Sequence, residues 1–266
     1  MVQLVGIVNL TEDSFSDGGR FLDLRQAIAH GERLIEDGAD WLDLGAESSN
    51  PQGKKVEDQV EIERLAPVLR HFKGSGIKIS VDTCKPSVVK AVLDLGADMI
   101  NDVSGLQQKA SVEALLAHPQ AMAVLMHSRN AGPRAETIDR PHRDLIPEII
   151  GFFRRRITDL ETLGLQRERI ILDPGMGYFL GGNPEPSLHV LRHLEDLLVL
   201  GRPVYVSTSR KSFIGTVLGK EPSQRGAGTL ATELWAIEHG ATFIRAHDVA
   251  PLAQAYRLWR AISDIV

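Results

Sequence analysis

Residues 203–215 read Pro-Val-Tyr-Val-Ser-Thr-Ser-Arg-Lys-Ser-Phe-Ile-Gly. Val204, Tyr205 and Val206 make a short buried strand that stops abruptly on Ser207, Thr208, Ser209, Arg210 and Lys211 before a helix opens. A core strand has no packing reason to finish in three hydroxyls and two cations. In α/β folds, ligands gather at that carboxyl end of the sheet, so the run marks a fold class and a site together.

The same pattern recurs on either side. Apolar residues 4–8 end at Asn9, 41–44 carry Asp43, 77–81 end at Asp82, and 99–100 end at Asn101 and Asp102. Residues 122–126 precede His127, 170–172 precede Asp173, and 243–244 precede Arg245 and His247. Eight strand candidates therefore recur about every 34 residues, the length of a strand-loop-helix-loop module. Helical periodicity fills the intervals; within residues 142–163, Leu145, Ile149, Phe152, Ile157 and Leu160 share one face. Gly38-Ala39, Gly96-Ala97 and Gly240-Ala241 each stand where a helix ends and a strand follows, the expected place for a glycine cap. The pattern predicts a single TIM (β/α)8 barrel in one domain over residues 1–266. A doubly wound open sheet fits less well, because neither GxGxxG after the first strand nor GxxxxGK[ST] is present.

Composition is that of a soluble globular chain: 266 residues, 43% hydrophobic, 24% charged, net charge -5. With no basic stripe, no nucleic acid is expected as a partner. A lone cysteine, Cys84, cannot form an internal disulfide and fits a reducing compartment. No apolar run reaches about 18 residues and no charged-then-apolar leader occurs, so the expectation is a cytoplasmic protein with no membrane partner.

Asp43, Asp82, Asn101 and Asp173 would converge at the top of one barrel, where unpaired charge is costly. They require a polar ligand, a metal, or a cation such as Lys211. Acceptors this dense suit a flat heterocycle rich in N–H donors. Arg210, Lys211, Arg245 and His247 supply the positive side, and arginine suits bidentate phosphate contact. His127 and His247 could join Asp173 on a metal, yet no HxH, HExxH or CxxC spacing supports zinc; a hard Mg²⁺ shared with phosphate would leave little trace in sequence. Three arginines at 154–156 read as a wet helix face, Cys84 as a small packing residue, and His30, His118 and His239 as residues near helix C-termini. Trp235, Leu258 and Trp259 in the last helices leave room for a dimer face.

Assembled, these residues resemble dihydropteroate synthase over nearly the whole chain. The motifs are Gly6-Ile7-Val8-Asn9-Leu10-Thr11-Glu12-Asp13-Ser14-Phe15-Ser16-Asp17-Gly18-Gly19, Asp43-Leu44-Gly45-Ala46-Glu47-Ser48-Ser49-Asn50-Pro51, Ser80-Val81-Asp82-Thr83, Asn101-Asp102-Val103, Met126-His127, Asp173-Pro174-Gly175-Met176-Gly177, Ser209-Arg210-Lys211-Ser212-Phe213-Ile214-Gly215 and Arg245-Ala246-His247-Asp248. The resemblance implies a TIM barrel that joins 6-hydroxymethyl-7,8-dihydropterin diphosphate to 4-aminobenzoate with release of diphosphate in folate synthesis. It implies that Asp82, Asn101, Met126, Asp173, Gly177 and Lys211 bind pterin, and that Asn9, Arg245 and His247 hold diphosphate, with Mg²⁺ at Asn9 and Asp13. Phe15, Ser49, Pro51, Tyr178, Phe179, Ser209 and Arg210 would line the aminobenzoate pocket. Lys211, Asp82, Asp173, Arg245 and His247 would carry the chemistry, and the assembly would be a homodimer.

Two places depart from the usual family pattern. Glu47-Ser48-Ser49-Asn50-Pro51 has Asn50 where the family carries arginine, and Gly177-Tyr178-Phe179-Leu180-Gly181-Gly182 is longer than the usual run and lacks its lysine. Both resemble the divergent, sulfonamide-insensitive branch of the family. The extra aromatic is expected to narrow the pocket against bulky sulfonamides. Two other readings are open: a methyltetrahydrofolate-corrinoid methyltransferase, which has no diphosphate to grip, and a catalytically weak pterin-binding paralogue.

Overall fold

The computed structural model describes residues 2–10, 20–48 and 53–263. Eight parallel strands carry the architecture: β1 (Gln3–Asn9), β2 (Trp41–Gly45), β3 (Lys78–Asp82), β4 (Met99–Asp102), β5 (Met122–Met126), β6 (Ile170–Asp173), β7 (Tyr205–Val206) and β8 (Phe243–Ala246). They hydrogen-bond in the order β6-β5-β4-β3-β2-β1-β8-β7. A parallel bridge between Leu172 and Val204, with Leu172 N–H donating to Pro203 O at 2.9 Å, brings β6 against β7 and closes the barrel. Around it run α1 (Arg20–Glu36), α2 (Asp58–Phe72), α3 (Pro86–Leu95), α4 (Lys109–Ala117), α5 (Leu145–Thr162), α6 (Glu185–Arg192), α7 (Ser212–Leu218), α8 (Gly226–Glu238) and α9 (Val249–Ser263). All eight strand candidates are strands.

Strands buried on both faces read as unbroken apolar runs, which is why the sequence signal was short and dense. Leu42, Leu44, Val81, Ile100 and Leu172 face the helices in the large outer core. Val5, Trp41, Met99, Val124, Ile171, Tyr205 and Phe243 form a second, smaller core inside the barrel. Side chains alternate with period two, so the residue two after each inward apolar one also points inward. That rule takes Trp41 to Asp43, Met99 to Asn101, Ile171 to Asp173 and Phe243 to Arg245. The polar mouth is thus the next layer of the apolar interior.

The Gly-Ala repeat has a shared geometry. Gly38, Gly96 and Gly240 have φ near +100°, +101° and +93°. Each donates its N–H three residues back, to Ile35, Leu93 and Ile237, while the following alanine donates five back, to Leu34, Val92 and Ala236. This double closure satisfies the last carbonyls of α1, α3 and α8 and requires the left-handed residue that glycine accepts without strain.

The helix readings need three corrections. On α5 it is Phe153, not Phe152, that is fully buried with Leu145, Ile149, Ile157 and Leu160. Arg156 is no wet residue: its guanidinium donates to Gly105 O (3.0 Å) and Leu106 O, satisfying the loop after β4. His30 lies in the middle of α1 with Nε2 3.1 Å from Ile7 O, whereas His118 and His239 do end α4 and α8.

Candidate active site

At the top of the barrel one cation organises the acids. Arg245 Nε donates to Asp43 Oδ2 at 2.6 Å, and its Nη2 donates to Asp82 Oδ2 at 3.0 Å. Asn101 Nδ2 reaches the same Asp43 oxygen at 3.3 Å. The sequence reading offered Lys211 as the neutralising partner and set Arg245 on the phosphate side; Arg245 is the cation inside the acid ring. Asp43 is fully buried, so without that guanidinium it would be a stranded charge. Burial pushes the Asp82 carboxyl above the usual carboxylate range against the pull of Arg245. Asp173 is likewise raised by burial, opposed by Lys211, and its Oδ1 accepts Gly175 N–H at 2.7 Å.

The run after β7 separates its two cations. Arg210 has φ +57°, a strained region for a non-glycine residue. Three contacts hold it there: its N–H donates to Thr229 Oγ1 (3.0 Å), its carbonyl accepts from Arg225 Nη1 (2.8 Å), and its Nη2 meets Asp248 (2.7 Å). That kink sends Arg210 outward and leaves Lys211 turned across the mouth, at the N-cap of α7. Lys211 Nζ lies 3.4 Å from Met176 O and 5.3 Å from the Phe179 ring centroid. Burial lowers its pKa to about 8, with Asp173 opposing. Gly177, at φ +63°, leaves room for this lysine, since a Cβ there would stand 3.3 Å from Lys211 Cδ.

His247 hydrogen-bonds Ser209 Oγ through Nδ1 (2.9 Å) and through its own N–H (3.1 Å). Burial, then Arg245 and Arg210, pull its pKa to about 3. It is therefore a neutral imidazole at pH 7, a correction to its place among the cations. Asn9 ends β1 with an exposed side chain. His127 sits one residue past inward-facing Met126, so by alternation it points out: Nε2 is 3.3 Å from Glu148 and its ring packs on Phe152. Its N–H donates to Asp173 O at 2.8 Å, but among the described residues its ring makes no hydrogen bond to Asp173 or His247, and no group of three or more His, Cys, Asp or Glu among them could hold a metal ion. Asp13, Phe15, Ser49, Asn50 and Pro51 lie outside the described residues.

The model for pterin binding enzymes matches residues 5–247. The type-3 dihydropteroate synthase of Escherichia coli is 43% identical over 263 residues, 98% of this chain and 100% of that protein. Among solved structures, the Xanthomonas albilineans dihydropteroate synthase with 4-aminobenzoic acid superposes with TM-score 0.91 at 38% identity, covering 100% of this chain and 94% of that one. The same enzyme in complex with 7,8-dihydropteroate gives 0.88 at 36%, covering 100% and 95%. This chain belongs to the dihydropteroate synthase family of pterin binding enzymes.

In this dihydropteroate synthase relative the loop after β6 runs from residue 174 to residue 184, and the fold shows what anchors it. Phe179 O accepts Arg129 N–H (2.9 Å), Tyr178 O accepts Asn130 Nδ2 (3.2 Å), and Gly182 N–H donates to Ile138 O (2.7 Å). The loop is stitched to the loop after β5. Phe179 is buried against Met126 and Ala135 beneath Lys211, with Tyr178 half-buried beside it. Sequence reading missed Tyr205, whose buried hydroxyl has no partner among the described residues, as well as Ser80 in the same state. Both stand two residues before a polar inward position, a signal that period-two counting would have found. It also missed Lys85, which joins Glu47 (2.5 Å) and Glu61 (2.7 Å).

Proposed function

We infer that this barrel joins 6-hydroxymethyl-7,8-dihydropterin diphosphate to 4-aminobenzoate and releases diphosphate, the reaction of dihydropteroate synthase. The observation that carries it is the ring of acceptors, buried Asn101 and Asp173 with half-buried Asp82, facing Lys211 in a barrel of this family. Asn101 Oδ1 has no partner among the described residues, and burial raises the pKa of both Asp173 and Asp82, a set suited to a heterocycle with N–H and carbonyl edges. Met126 and Gly177 flank that ring. Lys211 supplies positive charge next to the pterin; neutral His247, and Arg245 while its Nε and Nη2 hold Asp43 and Asp82, donate hydrogen bonds to the departing diphosphate, which develops charge as the bond breaks. The arylamine then captures the methylene carbon, with Ser209, Arg210, Tyr178 and Phe179 as its walls.

The single amide oxygen of Asn9, with no acidic cage among the described residues, fits a hard cation held mostly by diphosphate oxygens, and Asp13 would be its second protein ligand. Mg²⁺ bound there would neutralise leaving-group charge. Residues 1–266 act as one pterin-binding domain, cytoplasmic, and pair as a homodimer. The stitched loop carrying Phe179 makes the enzyme sulfonamide-insensitive by filling space that a substituent on the sulfonyl end would need.

The deciding experiment is diphosphate release by the purified protein with pterin diphosphate, Mg²⁺ and 4-aminobenzoate, with and without a sulfonamide. Release that requires the arylamine and persists with the drug is the expected result. Inhibition at ordinary drug levels would discard the pocket explanation, which deletion of Tyr178 and Phe179 also tests: it should restore inhibition. Pterin binding without release would indicate a weak paralogue.

A further inference from the structure

We propose that Asp43, on β2, is a positioning residue that orients both Arg245 and Asn101 for the pterin diphosphate; this rests on the function proposed above. Inward side chains of such a barrel stack in layers supplied by alternate strands. Trp41, Met99, Ile171 and Phe243, from β2, β4, β6 and β8, lie in the inner apolar core. Two residues further along the same strands, Asp43, Asn101, Asp173 and Arg245 form the polar layer above it. Asn101 and Asp173 are assigned to the pterin and Arg245 to the diphosphate. Asp43 is fully buried, so it has no surface to offer a substrate.

Its hydrogen bonds show what it does instead. Asp43 Oδ2 accepts from Arg245 Nε at 2.6 Å and from Asn101 Nδ2 at 3.3 Å, while Oδ1 has no partner among the described residues. Among those residues, its side chain therefore bonds only to members of the site, and it caps no helix and ties no loop. A buried ion pair rarely stabilises a fold more than apolar side chains of similar volume, so stability does not account for this carboxylate. Orientation does. By taking the amide nitrogen of Asn101, Asp43 leaves the amide oxygen, unpartnered among the described residues, as the acceptor for a ring N–H. By taking Nε of Arg245, it fixes the guanidinium independently of Asp82, whose side chain is 20% exposed and is itself called on by the pterin. Arg245 Nη1 makes no hydrogen bond among the described residues and is left for the diphosphate.

The test is titration calorimetry of the purified protein with 6-hydroxymethylpterin and with pterin diphosphate. Asp43→Asn should raise the Kd of both roughly ten- to hundred-fold, the scale of one hydrogen bond to a charged group, while KM for 4-aminobenzoate holds. A variant that had only lost stability would bind fewer equivalents at wild-type Kd, so affinity and stoichiometry separate positioning from folding. Asp43→Asn combined with Arg245→Gln removes both buried charges together. For pterin diphosphate this double variant should lose less than the product of the two single losses, because Asp43 acts partly through Arg245. Should Asp43→Asn alone fail to fold, the double variant is compared with Arg245→Gln: it should bind 6-hydroxymethylpterin several-fold more weakly, since Asn101 is still released. Wild-type Kd for the pterin in Asp43→Asn would overturn the proposal, as would losses that multiply in the double variant, or a double variant that binds 6-hydroxymethylpterin as tightly as Arg245→Gln. Absence of pterin binding by wild-type protein would instead defeat the function on which it rests.

Discussion

Lys211 and Glu233 are two buried ionisable residues with opposite consequences. Burial lowers Lys211 to about 8, so its cation is present below that pH and is lost above it. A basic limb near pH 8 in kcat/KM is therefore expected, since that ratio reports the free enzyme. Lys211→Ala should lose roughly 10²–10³-fold in kcat together with that limb, the scale of removing one charge-stabilising donor. Near-normal kinetics would remove Lys211 from the mechanism. Glu233, on α8, is 2% exposed, its Oε1 has no partner among the described residues, and burial, then Asp248, raises its pKa to about 8. A carboxyl that binds its proton more tightly when folded gives stability that is whole below its ordinary pKa and drains away as pH rises toward 8. Glu233→Gln should accordingly raise Tm relative to wild type at pH 8.5 and lose that advantage at pH 5. A pH-independent Tm difference would assign the effect to packing. At this scale, strand-end identities were legible because polar termination is local. The partner of Arg245 was not, because Asp43 and Asp82 lie 202 and 163 residues away and meet it only when the barrel closes.

Between elements, the seam that joins the loops after β5 and β6 decides how firmly the Lys211 wall is held. Gly182 passes so close to Thr137 that a Cβ would stand 2.6 Å from its carbonyl oxygen, and both atoms are backbone-fixed. Gly132, on the same loop after β5, has nothing within 4 Å of its added Cβ. Overpacking costs about 1–3 kcal/mol, which in a chain of this size lowers Tm by roughly 2–5 °C. Gly182→Ala should show that loss and Gly132→Ala should not; equal melting temperatures for the pair would mean the seam yields. The helices and their glycine caps could be read from periodicity, yet which of the adjacent aromatics is fully buried could not: Phe153 is, while Phe152 packs half-buried against the same core. His127 was misdirected for a different reason: alternation past Met126 turns it toward α5, and strand parity had not been followed beyond the last apolar residue.

The barrel as a whole was legible because its repeat is encoded eight times, and each copy corrects the uncertainty of the others. Surface association has no such redundancy. Of the three positions singled out for a dimer face, Trp259 packs on the outer core, while Trp235 is 45% and Leu258 64% exposed. Val217 (56%) and Leu218 (47%) on α7 are exposed as well, and Leu218 lies against α8, the helix of Trp235, beside Gly228. Contiguous apolar patches of a few hundred Å² are where soluble monomers become assemblies. If α7 and α8 form the homodimer face, sedimentation velocity of the 29.2 kDa chain should give about twice that mass at micromolar concentration. Val217→Asp together with Leu218→Asp should then yield a monomer with an unchanged circular dichroism spectrum, because neither residue contributes to the buried core. A wild-type protein that sediments as a monomer would dispose of the dimer, and a double variant that stays dimeric would move the face to Leu258 and α9.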